Sequence, residues 1–218
     1  MQPTERTRVL RNTEQAAYDP ETVGSILDAG LVAHVGIVHD GAPVVIPMVY
    51  ARVAGTLYLH GSVASRLMRT LRSGAPACVT VTVVDGIVLA RSAFNMTLNY
   101  RSVVVHGSAR LVDDEAERDR AFRAVLDHLV PGHYDTVRPP NAAEARQTMV
   151  LAISLLEASA KLRSGPPADE PEDLVSGVWA GEIPLHTVAG AAVPDPAVVA
   201  GTPLPPSVRN LARFAPLG

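Results

Sequence analysis

The stretch LVAHVGIVHDGAPVVIPMVYARV, residues 31–53, decides the fold class. Leu31 to His39 and Val44 to Val53 are rich in β-branched and apolar residues, which predicts two strands. Asp40-Gly41 between them is typical of a tight hairpin, because these residue types accept the positive φ that a short turn needs. The segment therefore predicts two directly paired antiparallel strands.

Similar patterns continue outward from this hairpin. They predict a turn at Ala54-Gly55 and a second hairpin at Asp85-Gly86. They also predict further strands and four helices. The further strands are Leu57–His60, Ala77–Val84, Ile87–Ser92, Tyr100–Val112 and Met149–Leu156. The helices run from Asp19 to Gly30, from a Ser62 cap through Leu71 to the terminator Gly74, from Asp113 to Leu129, and over Ala142–Gln147. Six or seven strands in hairpins predict a mainly β fold, an antiparallel barrel with flanking helices, since closure removes exposed strand edges.

The chain divides into three parts. Residues 1–18 are predicted to form an N-terminal arm, residues 19–164 the barrel, and residues 165–218 a Pro-rich extension that packs on the barrel or on a partner subunit. The strands around residues 79–90 and 101–105 are apolar on both faces, so both faces need cover. A homodimer interface is the predicted cover.

Composition excludes several classes of function. The net charge of −3 argues against a nucleic-acid partner, and Cys78 is the only cysteine, which excludes an internal disulfide and a Cys-based zinc site. The seven histidines lack metal-ligand spacing, so no metal site is predicted. Rossmann, Walker A and Gly-x-Ser-x-Gly motifs are absent. No secretory signal or membrane span is evident, and we expect a cytoplasmic protein without a membrane partner.

The stretch from Leu57 to Arg66 (LYLHGSVASR) carries the main chemical motif. A strand ends, Gly61 allows a tight turn, and a helix begins with free backbone N–H groups that favour an anion. Ser62 and Ser65 add hydroxyl donors, and Arg66 adds a guanidinium fork suited to phosphate. The alternative is an ordinary capped helix with an exposed arginine.

Three other segments contain candidate ligand contacts. Arg101 lies on an apolar strand face, where it needs either an anion or a carboxylate partner. Lys161 and Arg163 precede the Pro-rich extension, and they predict either a second cationic site or a solvated strand end. Trp179, the only tryptophan, predicts stacking on a planar ring or an anchor for the extension.

These segments together resemble the pyridoxamine 5′-phosphate oxidase-like, FMN-binding split barrels, and they are most similar to the flavin-nucleotide-binding branch related to nitroimidazole-resistance reductases. The blocks that carry the resemblance are DGAPVVIP (40–47), YLHGS (58–62) with Ser65-Arg66, DGIVLARSAF (85–94), NYRSV (99–103) and SAKLRSGPP (159–167). The resemblance covers most of the chain, from about Tyr18 to about Leu185. Leu67 stands where the oxidase has a lysine, and Asn95-Met96 stand where the closest branch has two histidines.

The resemblance implies a dimeric split barrel that binds FMN at the subunit interface. With the motifs above, it gives the predicted cofactor-binding residues Val45, Ile46, Pro47, His60, Gly61, Ser62, Ser65, Arg66, Arg91, Tyr100, Arg101, Lys161, Arg163 and Trp179. His60 is the predicted catalytic residue, because an imidazole near the flavin ring could donate a hydrogen bond or a proton. A histidine that only bonds across the strand end is the alternative.

Three functions follow from these expectations. The first is an FMN-dependent oxidoreductase that takes electrons from a reduced nicotinamide and acts on a small molecule. The second is a flavin carrier or sensor without turnover. The third is a split barrel that binds haem or a deazaflavin, with His60 or His106 as the axial ligand of a haem.

Overall fold

The computed structural model describes residues 2–209 and 211, and ten strands of this part form one antiparallel sheet. The strands are β1 (Ala16–Ala17), β2 (Val32–His39), β3 (Ala42–Val53), β4 (Thr56–Ser62), β5 (Pro76–Leu89), β6 (Thr97–Ser108), β7 (Arg110–Leu111), β8 (Thr148–Ser154), β9 (Ala158–Arg163) and β10 (Gly181–Pro184). The α-helices are α1 (Pro20–Ala29), α2 (Arg66–Arg72), α3 (Glu115–Leu129), α4 (Ala142–Gln147) and α5 (Pro206–Arg209).

The sheet closes into a split barrel. From β2 the pairing runs through β3, β4 and β8 to β7, and from β2 in the other direction it runs through β5 to β6. Only Ala109 separates β6 from β7, so the two paths meet in one continuous segment. Beyond β6 the sheet continues outward with β9 and β1. The predicted antiparallel split barrel is confirmed.

The hairpin of β2 and β3 forms as the sequence predicts. Asp40 and Gly41 adopt φ angles of 50° and 75°, and His39 pairs with Ala42 across the turn. Val35 on β2 faces the barrel interior together with leucines and valines of the other strands. Burying each such side chain stabilises the fold by about 1.5–3 kcal/mol relative to its exposure.

Three helices cover the barrel. Helix α1 begins at its Asp19 cap and packs Val23, Ile26 and Leu27 into the main core, and α2 contributes Leu67, Met68 and Leu71 to the same core. Helix α3 lies on the outer face of the sheet, where Ala121 and Phe122 pack on Tyr58, Val150 and Ala152. The outer side of β4 is thereby covered while its Leu57 and Leu59 fill the interior.

The predicted hairpin at Asp85-Gly86 is wrong. Pro76 to Leu89 form one strand, β5, with an irregularity in its pairing to β6 between Val84 and Gly86. The strand continues because β10, from the extension, pairs with Gly86–Leu89 on the edge that β2 leaves free. A Cβ at Gly86 would lie 3.0 Å from the carbonyl oxygen of Ile183, so the close approach of β10 needs a glycine there.

Other boundaries differ in smaller ways. The cap of α2 is Ser65, whose Oγ accepts from the Met68 N–H at 3.4 Å, and not the predicted Ser62. The long strand predicted over residues 100–112 divides into β6 and β7. Two contacts tie the outer parts of the described chain to the rest of the fold: β1 pairs with β9, and Oγ of Ser207 lies 3.1 Å from Nδ1 of His133, which follows α3.

The helices of residues 2–209 include none that is both long and apolar enough to cross a membrane.

Candidate functional site

The turn between β4 and α2 is built by short hydrogen bonds and one glycine. The Ser62 carbonyl accepts from the Ser65 N–H at 2.9 Å, and Ser62 Oγ accepts from the Ala64 N–H at 3.2 Å. A Cβ on Gly61 would lie 2.9 Å from Cγ of Met68, so the glycine lets α2 pack closely on the strand. The Ser62 and Ser65 hydroxyl groups accept within the turn and keep their own protons for another acceptor.

The turn presents an arginine that has no carboxylate partner in the described part of the chain. Arg66, the first residue of α2, is exposed and forms none of the ion pairs found there. Arg69 and Arg72 on the same helix are equally unpaired among these residues. The sequence prediction of a cationic turn therefore has a physical counterpart, since the guanidinium of Arg66 is available to an anion.

An exposed apolar strip on β3 is the second part of the site. Val45 and Pro47, in its first half, point to the outer face, and Val45 is 59% exposed. Ile46 pairs with the inward-facing Val35, so it points to the opposite face, and it is 39% exposed. In the register with β2, Pro47 pairs with His34 and Val45 pairs with Gly36. A strip of apolar side chains in the middle of a barrel strand is a surface that a planar ligand or another chain can cover.

The other predicted cations have partners within the protein. Arg101 forms a bidentate pair with Asp85, with distances of 2.8 and 2.7 Å, and Arg91 binds the almost fully buried Asp169 at 2.8 Å. The carboxylate of Asp85 raises the pKa of Arg101 further above its ordinary value. Their guanidinium groups thus stabilise the chain, which matches the salt-bridge alternative for Arg101.

Arg163 and Lys161 are also engaged. Arg163 donates to the side-chain oxygen of Asn99 and to the carbonyl of Gly165 at 3.1 Å, and Nζ of Lys161 donates to the Arg11 carbonyl at 3.0 Å. These bonds connect β9 to the extension and to the N-terminal arm. In the structure, both cations hold chain segments in place.

The two predicted aromatic contacts lie at the edge of this region. Tyr100 on β6 pairs with Arg163 on one side and with Val84 on the other. Trp179 is 65% exposed, and its ring lies 3.0 Å from the position that a Cβ of Gly181 would occupy. The indole therefore covers the first residue of β10 and leaves most of its surface open.

His60 lies under α3. Its ring centroid is 5.8 Å from that of Phe122, and its Nδ1 is buried without a hydrogen-bond partner among the described residues. Burial lowers the pKa of His60 below its ordinary value, so the ring is neutral near pH 7. The hydrogen bond across the strand end, considered from the sequence, is not formed by this nitrogen.

A pocket that the sequence did not reveal lies between β2, β5 and the segment after β10. Its volume is about 420 Å³, and His34 and His186 both line it. These residues are 152 positions apart in the sequence, and only the pairing of β10 with β5 brings them together. The described residues contain no group of three or more His, Cys, Asp or Glu side chains that could hold a metal ion by themselves.

Comparisons with known proteins give the family. The sequence model of the family described as "Pyridoxamine 5'-phosphate oxidase" matches residues 19–162. No curated protein matches the sequence.

Two solved structures are similar over nearly the whole chain. The flavocytochrome Anf3 from Azotobacter vinelandii is 41% identical, with 96% of this chain and 97% of that chain covered and a TM-score of 0.90. The FAD and haem binding protein from Mycobacterium smegmatis is 40% identical, with 90% and 97% covered and a TM-score of 0.87.

A third structure is similar in fold alone. It is a protein from Bacteroides thetaiotaomicron that has been assigned to 5-nitroimidazole antibiotic resistance. The two chains are 20% identical, with 67% of this chain and 85% of that chain covered and a TM-score of 0.57. The family match, the split barrel and the two relatives above 30% identity agree, and the chain belongs to the pyridoxamine 5′-phosphate oxidase family.

Proposed function

We propose that this protein binds a flavin nucleotide and haem and acts in electron transfer. The observation that carries the proposal is the 41% and 40% identity, over 96% and 90% of the chain, to a flavocytochrome and to a protein that binds FAD and haem. The sequence resemblance implied FMN, whereas the Mycobacterium smegmatis relative binds FAD. The two flavins share the isoalloxazine ring and the first phosphate, so the same turn suits either.

The donor set at the β4–α2 turn fits a flavin phosphate. Arg66 supplies a cation without a protein partner in the described residues, and Ser62 and Ser65 supply hydroxyl donors beside it. Charge-assisted hydrogen bonds from a guanidinium to phosphate are among the strongest in proteins. In this proposal Arg66 holds the phosphate and the two serines orient it.

The apolar strip on β3 fits the flavin ring and a second subunit. Val45 and Pro47 would exclude water from one side of the ring, and Ile46 lies on the opposite face of β3. Val38 is also 64% exposed, and it extends the apolar surface onto the neighbouring strand β2. We therefore propose a homodimer that buries this surface, because single chains rarely leave such a patch open to water.

Bound flavin would supply hydride and one-electron chemistry, and bound haem would supply one-electron chemistry. The protein's own contribution is to fix both groups and to keep water from them. A reduced nicotinamide is the proposed electron donor, and a small molecule is the proposed acceptor.

A flavin carrier or sensor is the second candidate, and one observation favours it. His60, the acid–base group predicted from the sequence, is held neutral under α3, with its ring against Phe122. If no other group of the site moves a proton, the cofactors alone must carry the chemistry. Tight cofactor binding without oxidation of reduced nicotinamide would select this candidate.

The test is an absorption spectrum of protein purified from cells supplied with a haem precursor, with the released cofactors identified by mass. We expect flavin bands and a Soret band, and the mass discriminates FMN from FAD. Anaerobic addition of NADH or NADPH should bleach the flavin band if the protein is an oxidoreductase. A colourless protein that binds neither added flavin nor hemin would overturn the proposal.

A further inference from the structure

The strand β5 exchanges neighbours along one of its edges. Thr80 is the last residue of β5 that pairs with β2, and Gly86 is the first that pairs with β10. Between them the two neighbouring strands separate, and the pocket of about 420 Å³ occupies the gap. Its wall is mostly aliphatic and hydroxyl-bearing, with Val32, Thr82, Val84 and Leu185 among its residues.

Two imidazoles face this pocket from separate parts of the chain. His34 lies on β2, and His186 lies two residues after the end of β10. Both residues are exposed, and neither imidazole makes a side-chain hydrogen bond or an ion pair within residues 2–209. By contrast, His128 lies 2.8 Å from the Gly30 carbonyl, and His39 lies 3.2 Å from the hydroxyl of Thr70.

The two histidines lie in segments that are matched by different known proteins, as the lengths of the matches show. The family match ends at residue 162, and the nitroimidazole-resistance structure covers 67% of the chain. The flavocytochrome match covers 96%, so it must include most of the extension that forms β10 and carries His186. The extension is therefore shared with relatives that bind haem, and it supplies one wall of the pocket.

The pocket also adjoins the proposed flavin surface. His34 pairs with Pro47, which belongs to the exposed strip of β3, and adjacent strands lie about 4.8 Å apart. A group held at His34 would thus lie next to a group held on β3. Neutral imidazole is a common axial ligand of haem iron, and an aliphatic wall suits the porphyrin faces.

We propose that this pocket is the haem site and that an imidazole nitrogen from His34 or His186 ligates the iron. The inference rests on the haem-binding half of the proposed function. It replaces His60 and His106, the ligand candidates drawn from the sequence. His60 is packed under α3, and His106 on β6 pairs with Cys78 outside the pocket lining.

The test compares His34→Ala, His186→Ala and their double variant with the wild type and with His106→Ala as the matched control. All are purified from cells supplied with the same haem precursor and then titrated with hemin. The readouts are the Soret position, the haem-to-protein ratio and the flavin-to-protein ratio. The flavin ratio reports that each variant is folded.

We expect at least one pocket variant to shift the Soret band or to lower haem affinity by about tenfold or more, since even indirect partners of metal ligands cost 10–100-fold when removed. Added imidazole should restore the spectrum, and His106→Ala should match the wild type. A wild-type haem spectrum that survives in the double variant would overturn the site and leave the proposed function standing. A wild type that binds flavin but no hemin would overturn both the site and the haem-binding half of the proposed function, and would leave the flavin-binding half standing.

Discussion

The arginines at the two ends of the barrel have opposite environments. Near the irregular end of β5, Arg91 is paired with Asp169 and Arg101 with Asp85. Arg163, on the neighbouring part of the sheet, donates to Asn99 and to backbone carbonyl groups. At the β4–α2 turn, Arg66 and Arg69 have no such partner in the described residues. The sequence alone gives Arg66, Arg91, Arg101 and Arg163 as candidate cofactor ligands, and the structure separates Arg66 from the other three.

The difference teaches which cations the fold itself needs. A partly buried cation must be paired, because desolvation would otherwise destabilise the protein, and Arg91 is paired with a carboxylate that is only 1% exposed. An exposed cation in water carries no such requirement. Arg66 is therefore available for a ligand, while the β5 set holds the extension on the barrel.

The largest expected effect comes from Arg66→Ala. Loss of a charge-assisted phosphate contact should weaken flavin binding by about 10- to 100-fold, while the melting temperature of the flavin-free protein stays unchanged. Fluorescence titration with FMN and FAD measures the affinity. Arg72→Ala, at the other end of α2, is the matched control and should bind flavin as the wild type does. Equal affinity in the wild type and Arg66→Ala would remove the turn from the site.

The second effect tests the paired region through Asn99→Ala. Asn99 is buried, accepts from Arg163 and donates to Glu182 at 2.6 Å and to the Gly165 carbonyl at 3.2 Å. Its loss removes three hydrogen bonds made from a buried position and leaves the half-buried Arg163 without its side-chain partner, which should cost about 1–3 kcal/mol of unfolding free energy. Urea unfolding measures this cost.

Flavin affinity should stay within about twofold of wild type in Asn99→Ala, because its partners bind the protein and not the ligand. Asn95→Ala is the control, since the Asn95 side chain has no hydrogen bond within the described residues. A large loss of flavin affinity with normal stability would place Asn99 and Arg163 in the binding site and erase the difference between the two regions.

Local sequence signals predicted those elements that depend on local interactions. The Asp40-Gly41 hairpin and the Ala142–Gln147 helix form as predicted. A capping box between Asn141 and Glu144 begins the helix. Asp85-Gly86 carries the same turn signal, yet β5 continues through it, because β10 and β6 pair with both of its edges. Strand pairing between residues almost a hundred positions apart outweighs the local turn preference of Asp85-Gly86.

The candidate site follows the same division. Gly61, Ser65 and Arg66 lie within one short stretch, so the sequence could place them together. The pocket between His34 and His186 depends on β10 joining β5, and no local pattern marks a four-residue strand inside a Pro-rich segment. No local pattern marks the carboxylate partner of Arg91, because Asp169 is 78 residues away, whereas Asp85, the partner of Arg101, lies 16 residues away on the adjacent strand.

The smallest effect concerns His60, which belongs to the Leu57–Arg66 motif in sequence but packs against Phe122 of α3. Burial lowers its pKa, so the unfolded chain takes up a proton at a higher pH than the folded protein does. Unfolding free energy is therefore complete above the ordinary histidine pKa of about 6.5 and falls as the pH drops below it. One proton limits this contribution to about 1.4 kcal/mol per pH unit.

His60→Leu should flatten that pH dependence. Urea unfolding of the flavin-free protein, at one protein concentration and between about pH 7.5 and about pH 5, measures it. His34→Leu is the control, because the exposed His34 side chain lies on β2 and not under α3. If His60 belongs to the α3 layer, saturating flavin adds the same stability to wild type and His60→Leu at every pH. If flavin instead changes the pH slope that depends on His60, the imidazole contacts the ligand. His60 then belongs to the binding site at the β4–α2 turn and not to the interior under α3.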